Sequence, residues 1–165
     1  MFVISLYKTG LGVCTVIAHL KSLLSKFYDT SVERAAIDFE TGLAALLVEV
    51  MRADGKVLTE ELENIQNTLI HYCGLELDAA SRLLTKAKQL VEQAIDLYSF
   101  VNVVNEHTSD IERIEIIELL WQVAFADGQI DGQEDHVIRK IAGLMYVTHA
   151  DFIQAKINVD ESRKQ

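Results

Sequence analysis

Leu46-Leu47-Val48-Glu49-Val50-Met51-Arg52-Ala53-Asp54-Gly55-Lys56-Val57, followed by Glu61 and Ile65, decides how this chain is to be read. The pattern returns as Leu119-Leu120-Trp121-Gln122-Val123-Ala124-Phe125-Ala126-Asp127-Gly128-Gln129-Ile130, followed by Glu134 and Ile138. A single shift of 73 residues superimposes the two. Under it Leu43 falls on Ile116, Leu47 on Leu120, Val50 on Val123, Ala53 on Ala126 and Glu61 on Glu134. Each copy reads as an apolar helix face, a tight Asp-Gly turn, one buried β-branched residue, then a second helix opening with a carboxylate. Two like helical hairpins are expected, packed through Leu46, Leu47, Val50, Leu119, Leu120 and Val123.

Working outward, the helical periodicity continues. Residues 15–27 place Val16, Leu20, Leu23, Leu24 and Phe27 at helical spacing. Thr30 with Glu33 forms a capping box ahead of a helix expected to run to about Ala53. Gly55 supplies its end, and Thr59 caps the next helix, closed by Gly74. Residues 76–95 and 97–106 read as two further helices. Ser109 with Glu112 opens the helix of the second copy, with Ile111, Ile114, Ile117, Leu120 and Val123 inward. Asp131 with Glu134 starts its partner, and Thr148 with Asp151 a last short helix to about Ile157. Residues 1–14 are expected to be a loosely ordered extension from a start assigned upstream of the true one. Residues 15–158 make one all-helical domain, and 159–165 a charged tail. The fold class is all-α, a compact single-domain bundle of seven to eight helices.

Composition agrees. The chain has 165 residues, half of them hydrophobic, enough for one real core, and no proline to break a helix. A formal charge of −10 argues against nucleic acid or an anionic membrane surface as the main partner. Residues 105–135 hold nine acids against Arg113 alone, a solvated acidic face or one meant for a cation or a basic protein partner. No apolar run reaches the ~20 residues of a spanning helix. Cys14 and Cys73 form no metal or redox motif, as expected in a reducing compartment.

The repeated motif has the second half of an EF-hand loop: an acid before the glycine, an apolar residue two after it, a carboxylate six after it. The first half is missing. Val50, Arg52, Val123 and Phe125 stand where leading oxygen ligands would be, so neither loop alone is a calcium site. Turn and cap chemistry would account for these acids singly. A turn, however, needs only glycine, and a cap only some polar residue; neither demands the same acid twice at one offset. Should the turns approach around a pseudo-twofold, Asp54, Glu61, Asp127 and Glu134 would supply four carboxylates and Asp131 a fifth. Such oxygen sets suit Ca2+ or Mg2+.

Ala-Asp-Gly-x-[Val/Ile]-x-x-x-Glu, present twice in register with a helical spacer, resembles the tellurite-resistance protein B (TerB-like) family over about residues 33–152. The resemblance implies a small cytoplasmic helical domain linked to tellurite and other stress responses, whose acidic motif residues bind metal. A related domain precedes the J-domain of some membrane-anchored co-chaperones; neither a spanning segment nor a His-Pro-Asp signature is present here. Leu58 stands where the second copy has Asp131, so any site would be asymmetric. No phosphate loop, nucleophile elbow or Cys-His pair accompanies the motif, which leaves little support for an enzyme. His71, His136 and Trp121 read as structural or exposed residues. Three classes stay open: a metal-binding or metal-sensing accessory domain; a metal-independent module presenting Glu112, Glu115 and Glu118 to a basic partner, as a co-chaperone would; and an enzyme using paired carboxylates.

Overall fold

The computed structural model describes residues 37–55, 59–126, 128 and 131–164, all within one compact unit opening at Ile37. The expected helix at 15–27, the Thr30–Glu33 box, the 1–14 extension and the core roles of Val57 and Ile130 lie outside these residues. Seven helices are described: α1 Phe39–Met51, α2 Thr59–Cys73, α3 Leu77–Gln93, α4 Tyr98–Glu106, α5 Asp110–Ala124, α6 Gly132–Leu144 and α7 His149–Ser162. No strand occurs among the described residues, and the molecule is an all-α bundle.

Helix α1 is the axis of the bundle. It packs against α2, α3, α4, α5 and α6, and nearly its whole surface is apolar or small. A helix apolar all round has to be buried, and Leu43, Leu46, Leu47 and Val50 are each fully so. Gly42 brings α4 close: a Cβ there would meet the Phe100 carbonyl oxygen at 3.2 Å and Val104 Cγ2 at 3.3 Å. The helix opens at Phe39, not just after Thr30. Asp38 is extended, and its carboxylate accepts from the Thr41 amide at 2.8 Å, satisfying a donor that the helix leaves orphaned. That hydrogen bond, with help from the Lys86 charge, holds the Asp38 carboxyl below its ordinary range despite partial burial.

Helix α5 packs on α7 and α6, with Trp121 at the centre of the joint. The Trp121 ring lies 5.4 Å from Phe152 and 6.1 Å from Phe125, and the Lys156 ammonium sits 4.4 Å over its face. Lys156 continues to Asp135 of α6 at 2.7 Å, and Arg139 reaches the same carboxylate at 3.1 Å. Two expectations change here. Ile111 is 71% exposed and Ile114 only half-buried. A strict spacing of three falls about 60° behind the helical turn at each step, so Ile111 lies across the helix from Leu120. The last helix also runs beyond Ile157 to Ser162, because Val159 is buried and keeps the chain helical.

Candidate metal centre

Among the described residues the two Asp-Gly turns make the same hydrogen bonds. After α1, the Arg52 amide donates to the Val48 carbonyl, the Ala53 amide to Val50 at 3.1 Å and the Gly55 amide to Arg52 at 3.0 Å. After α5, the Phe125 amide donates to Trp121, Ala126 to Val123 at 3.0 Å and Gly128 to Phe125 at 3.0 Å, each partner shifted by 73. Arg52 has φ −83° and ψ 0°, and Phe125 φ −84° and ψ 0°. Gly55 and Gly128 close the turns at φ +78° and +92°, where a side chain would be strained. The second helices then begin in register, Thr59 against Gly132. They bury Ile65 and Ile138 completely, and Glu61 and Glu134 to 8% and 7% exposure.

Asp54 is half-buried within its turn, and Asp131 is exposed. Asp131 caps α6: its Oδ1 accepts from the Gln133 amide at 2.7 Å, while Glu134 Oε2 accepts from the Asp131 amide at 3.0 Å. The capping box expected at Asp131 and Glu134 is therefore present, as is the one at Ser109 and Glu112. Asp54, Glu61 and Glu134 each have an interaction partner. Asp127 lies outside the described residues. Among the described residues no three His, Cys, Asp or Glu side chains are placed to hold a metal ion together. Asp131 and Glu134 meet; Asp54 and Glu61 do not join them in one such group.

On the acidic helix, Glu112 accepts from both the amide and the hydroxyl of Ser109 at 2.7 Å, and these hydrogen bonds hold its carboxyl below the usual range. Glu118 accepts from Asn158 Nδ2 at 2.7 Å, while Glu115 is exposed. Cys73 is half-buried, and burial, with Glu40 nearby, pushes its thiol up to about 11, so it is protonated and unreactive at neutral pH. Trp121 is fully buried; His71 and His136 are exposed. One residue escaped sequence reasoning. Arg163, the C-cap of α7, was hidden by ending the last helix at Ile157; Val159, one turn further on, was the signal that the helix continues.

No helix among the described residues is long and apolar enough to cross a membrane. Residues 40–157 match the family described as tellurite resistance protein TerB. No curated protein and no solved structure matches the chain. The family match spans both hairpins and most of the sequence, and the protein belongs to the TerB family.

Proposed function

We propose that this TerB domain is a non-catalytic accessory module that binds Ca2+ or Mg2+ at its Asp-Gly turns and acts in a tellurite or related stress response. The observation behind it is the burial of one glutamate per hairpin at the same offset from each turn. In the second copy the Asp131–Glu134 box accounts for that burial. In the first, Glu61 is buried to the same degree at the matching position and has an interaction partner of its own, so both hairpins hold a carboxylate at one place beside the turn. Asp54 with Glu61, and Asp127 with Asp131 and Glu134, are all-oxygen donor sets of the hard kind that these cations take. Each set is incomplete, so water would fill the remaining positions and affinity would be low, on the order of 10⁻⁴–10⁻³ M as in weak calcium modules. A bound cation would also neutralise part of the net −8 carried by residues 105–135. The domain would work in the cytoplasm, where isolated thiols such as Cys73 stay reduced.

The test is thermal. At about a hundredfold excess over the dissociation constant, a cation that binds only the folded state adds ~2.7 kcal/mol. The wild type is expected to melt higher with Ca2+ or Mg2+ than in a matched ionic-strength control. Asp127→Asn with Glu134→Gln, which keeps shape and capping acceptors, is expected not to. Equal shifts in both proteins, or none in either, leave these acids as turn and cap residues.

A second reading, a docking face for a basic protein partner, rests on exposed Ile111 with exposed Glu115 one turn further on. Replacing Glu112, Glu115 and Glu118 with Gln is expected to abolish capture of such a partner. Stability should change little, because glutamine keeps an oxygen acceptor for the Ser109 amide and for Asn158 Nδ2. Undiminished capture by the triple variant removes this reading.

A further inference from the structure

A groove of about 560 Å3 opens between α2, α5 and the end of α7, within the size range of ligand sites. Its floor is apolar, with Leu119, Val123 and Phe125. Asn64, Asn67 and His71 line one wall at i, i+3 and i+7 of α2, with Gln122 of α5 and Arg163 of α7 completing the rim. In a chain with 25 acids, the described lining holds no Asp or Glu.

Arg163 is the unusual member. Among the described residues Arg52, Arg82, Arg113 and Arg139 each lie within 4.0 Å of a carboxylate, and Arg163 does not. Its guanidinium sits 5.0 Å over the Phe125 ring, which covers a face and leaves the N–H fork for an acceptor. The repeat sharpens the contrast. In the first hairpin the turn arginine Arg52 has Glu49 at 3.9 Å; the matching positions of the second are Phe125 and Gln122, so the internal acid is replaced by a neutral amide. The side-chain amides of Asn64, Asn67 and Gln122 make no hydrogen bond among the described residues and are available to a ligand.

We propose that this groove binds a small organic carboxylate with a short apolar body. The carboxylate pairs with Arg163, as planar guanidinium forks favour. The body lies on Leu119, Val123 and Phe125, and the amides of Asn64, Asn67 and Gln122 bond the ligand's polar edges. The site does not depend on a metal at the turns.

The experiment is a titration of the full chain, freed of metal on a chelating resin, with hexanoate, hexan-1-ol or inorganic phosphate, followed by NMR of the Asn64, Asn67 and Gln122 side-chain amides. Hexanoate is expected to shift them saturably with a dissociation constant on the order of millimolar, as suits so small a ligand. Hexan-1-ol and phosphate are expected to bind at least ~10-fold more weakly, each lacking half of the recognised chemistry. Arg163→Gln is expected to weaken hexanoate ~10-fold, while Lys164→Gln, a neighbouring charge outside the groove lining, leaves it unchanged. Equal binding of hexan-1-ol or phosphate, an unaffected Arg163→Gln variant, or no response to hexanoate overturns the proposal. So do non-additive melting shifts between Arg163→Gln and Asp127→Asn, which would assign the arginine to its own chain.

Discussion

Among the described residues the two hairpins share the same turn hydrogen bonds, but they hold different places in the bundle. Helix α1 is surrounded and buries ten of its thirteen residues; α5 lies at the side and buries six of fifteen. What the repeat keeps is the turn and the residues it aims inward: Leu47 with Leu120, Ile65 with Ile138, Glu61 with Glu134. Change appears on the flank that only α1 has covered. Leu46 is fully buried, whereas its counterpart Leu119 is half-open at the groove floor. A duplicated hairpin thus carries one turn geometry into two settings, and the less covered copy has room for a ligand.

The strongest way to break this comparison is to truncate matched leucines. Leu46→Ala, Leu47→Ala and Leu120→Ala are each expected to cost ~2–5 kcal/mol in chemical denaturation, since all three are fully buried. Leu119→Ala is expected to cost only about 1 kcal/mol, in keeping with its partial burial. Equal losses at Leu46 and Leu119 would mean that the two flanks are covered alike.

A smaller effect separates the ends of the second helices. Gly74 closes α2 at φ +66°, with Leu75 donating back to Ile70. Tyr146 takes the same left-handed role after α6, at φ +60°, with Val147 donating to Ala142. An L side chain there is disfavoured by roughly 1–2 kcal/mol. Tyr146→Gly is therefore expected to raise stability by about 1 kcal/mol, and Gly74→Ala to lower it by a similar amount. Denaturation midpoints moving the same way for both variants would contradict the assignment.

The smallest effect is acid-dependent. Burial alone would push the Asp135 carboxyl up, but the hydrogen bonds from Lys156 and Arg139, and their charges, hold it below the ordinary range. A carboxyl lowered on folding contributes stability that is complete above its unfolded value, ~3.9, and lost as pH falls through the lower folded value. Melting temperature should fall over that interval, and Asp135→Asn should flatten the slope. An unchanged slope would detach α6 from this contact.

Much of this architecture was legible because turns and caps are local. Asp54-Gly55 and Asp127-Gly128, Ser109 with Glu112, and Asp131 with Glu134 state their hydrogen bonds within a few residues. The start of α1 was not, since the helical periodicity runs on through Ile37 and Asp38, which the Asp38 cap leaves outside the helix. Ile111 misled because spacing by three imitates a helix face over short distances and drifts away over longer ones. The candidate ligands of the turns could be listed from the repeat, but whether carboxylates from two hairpins converge depends on how distant helices pack. Arg163 was missed for the same reason, as its neighbour in the groove, Phe125, is far away in sequence.

The chain has a single tryptophan, and Trp121 stands where the first hairpin has Val48. It is therefore a spectroscopic label on one hairpin alone. Its buried Nε1 makes no hydrogen bond among the described residues, and Phe152 and Lys156 lie against its ring, so its emission should be blue-shifted and shielded from acrylamide. Because both of those neighbours come from α7, detachment of that helix alone would redden the signal. A fluorescence transition that precedes the loss of helical circular dichroism would then report this joint opening ahead of the bundle as a whole, using no added dye.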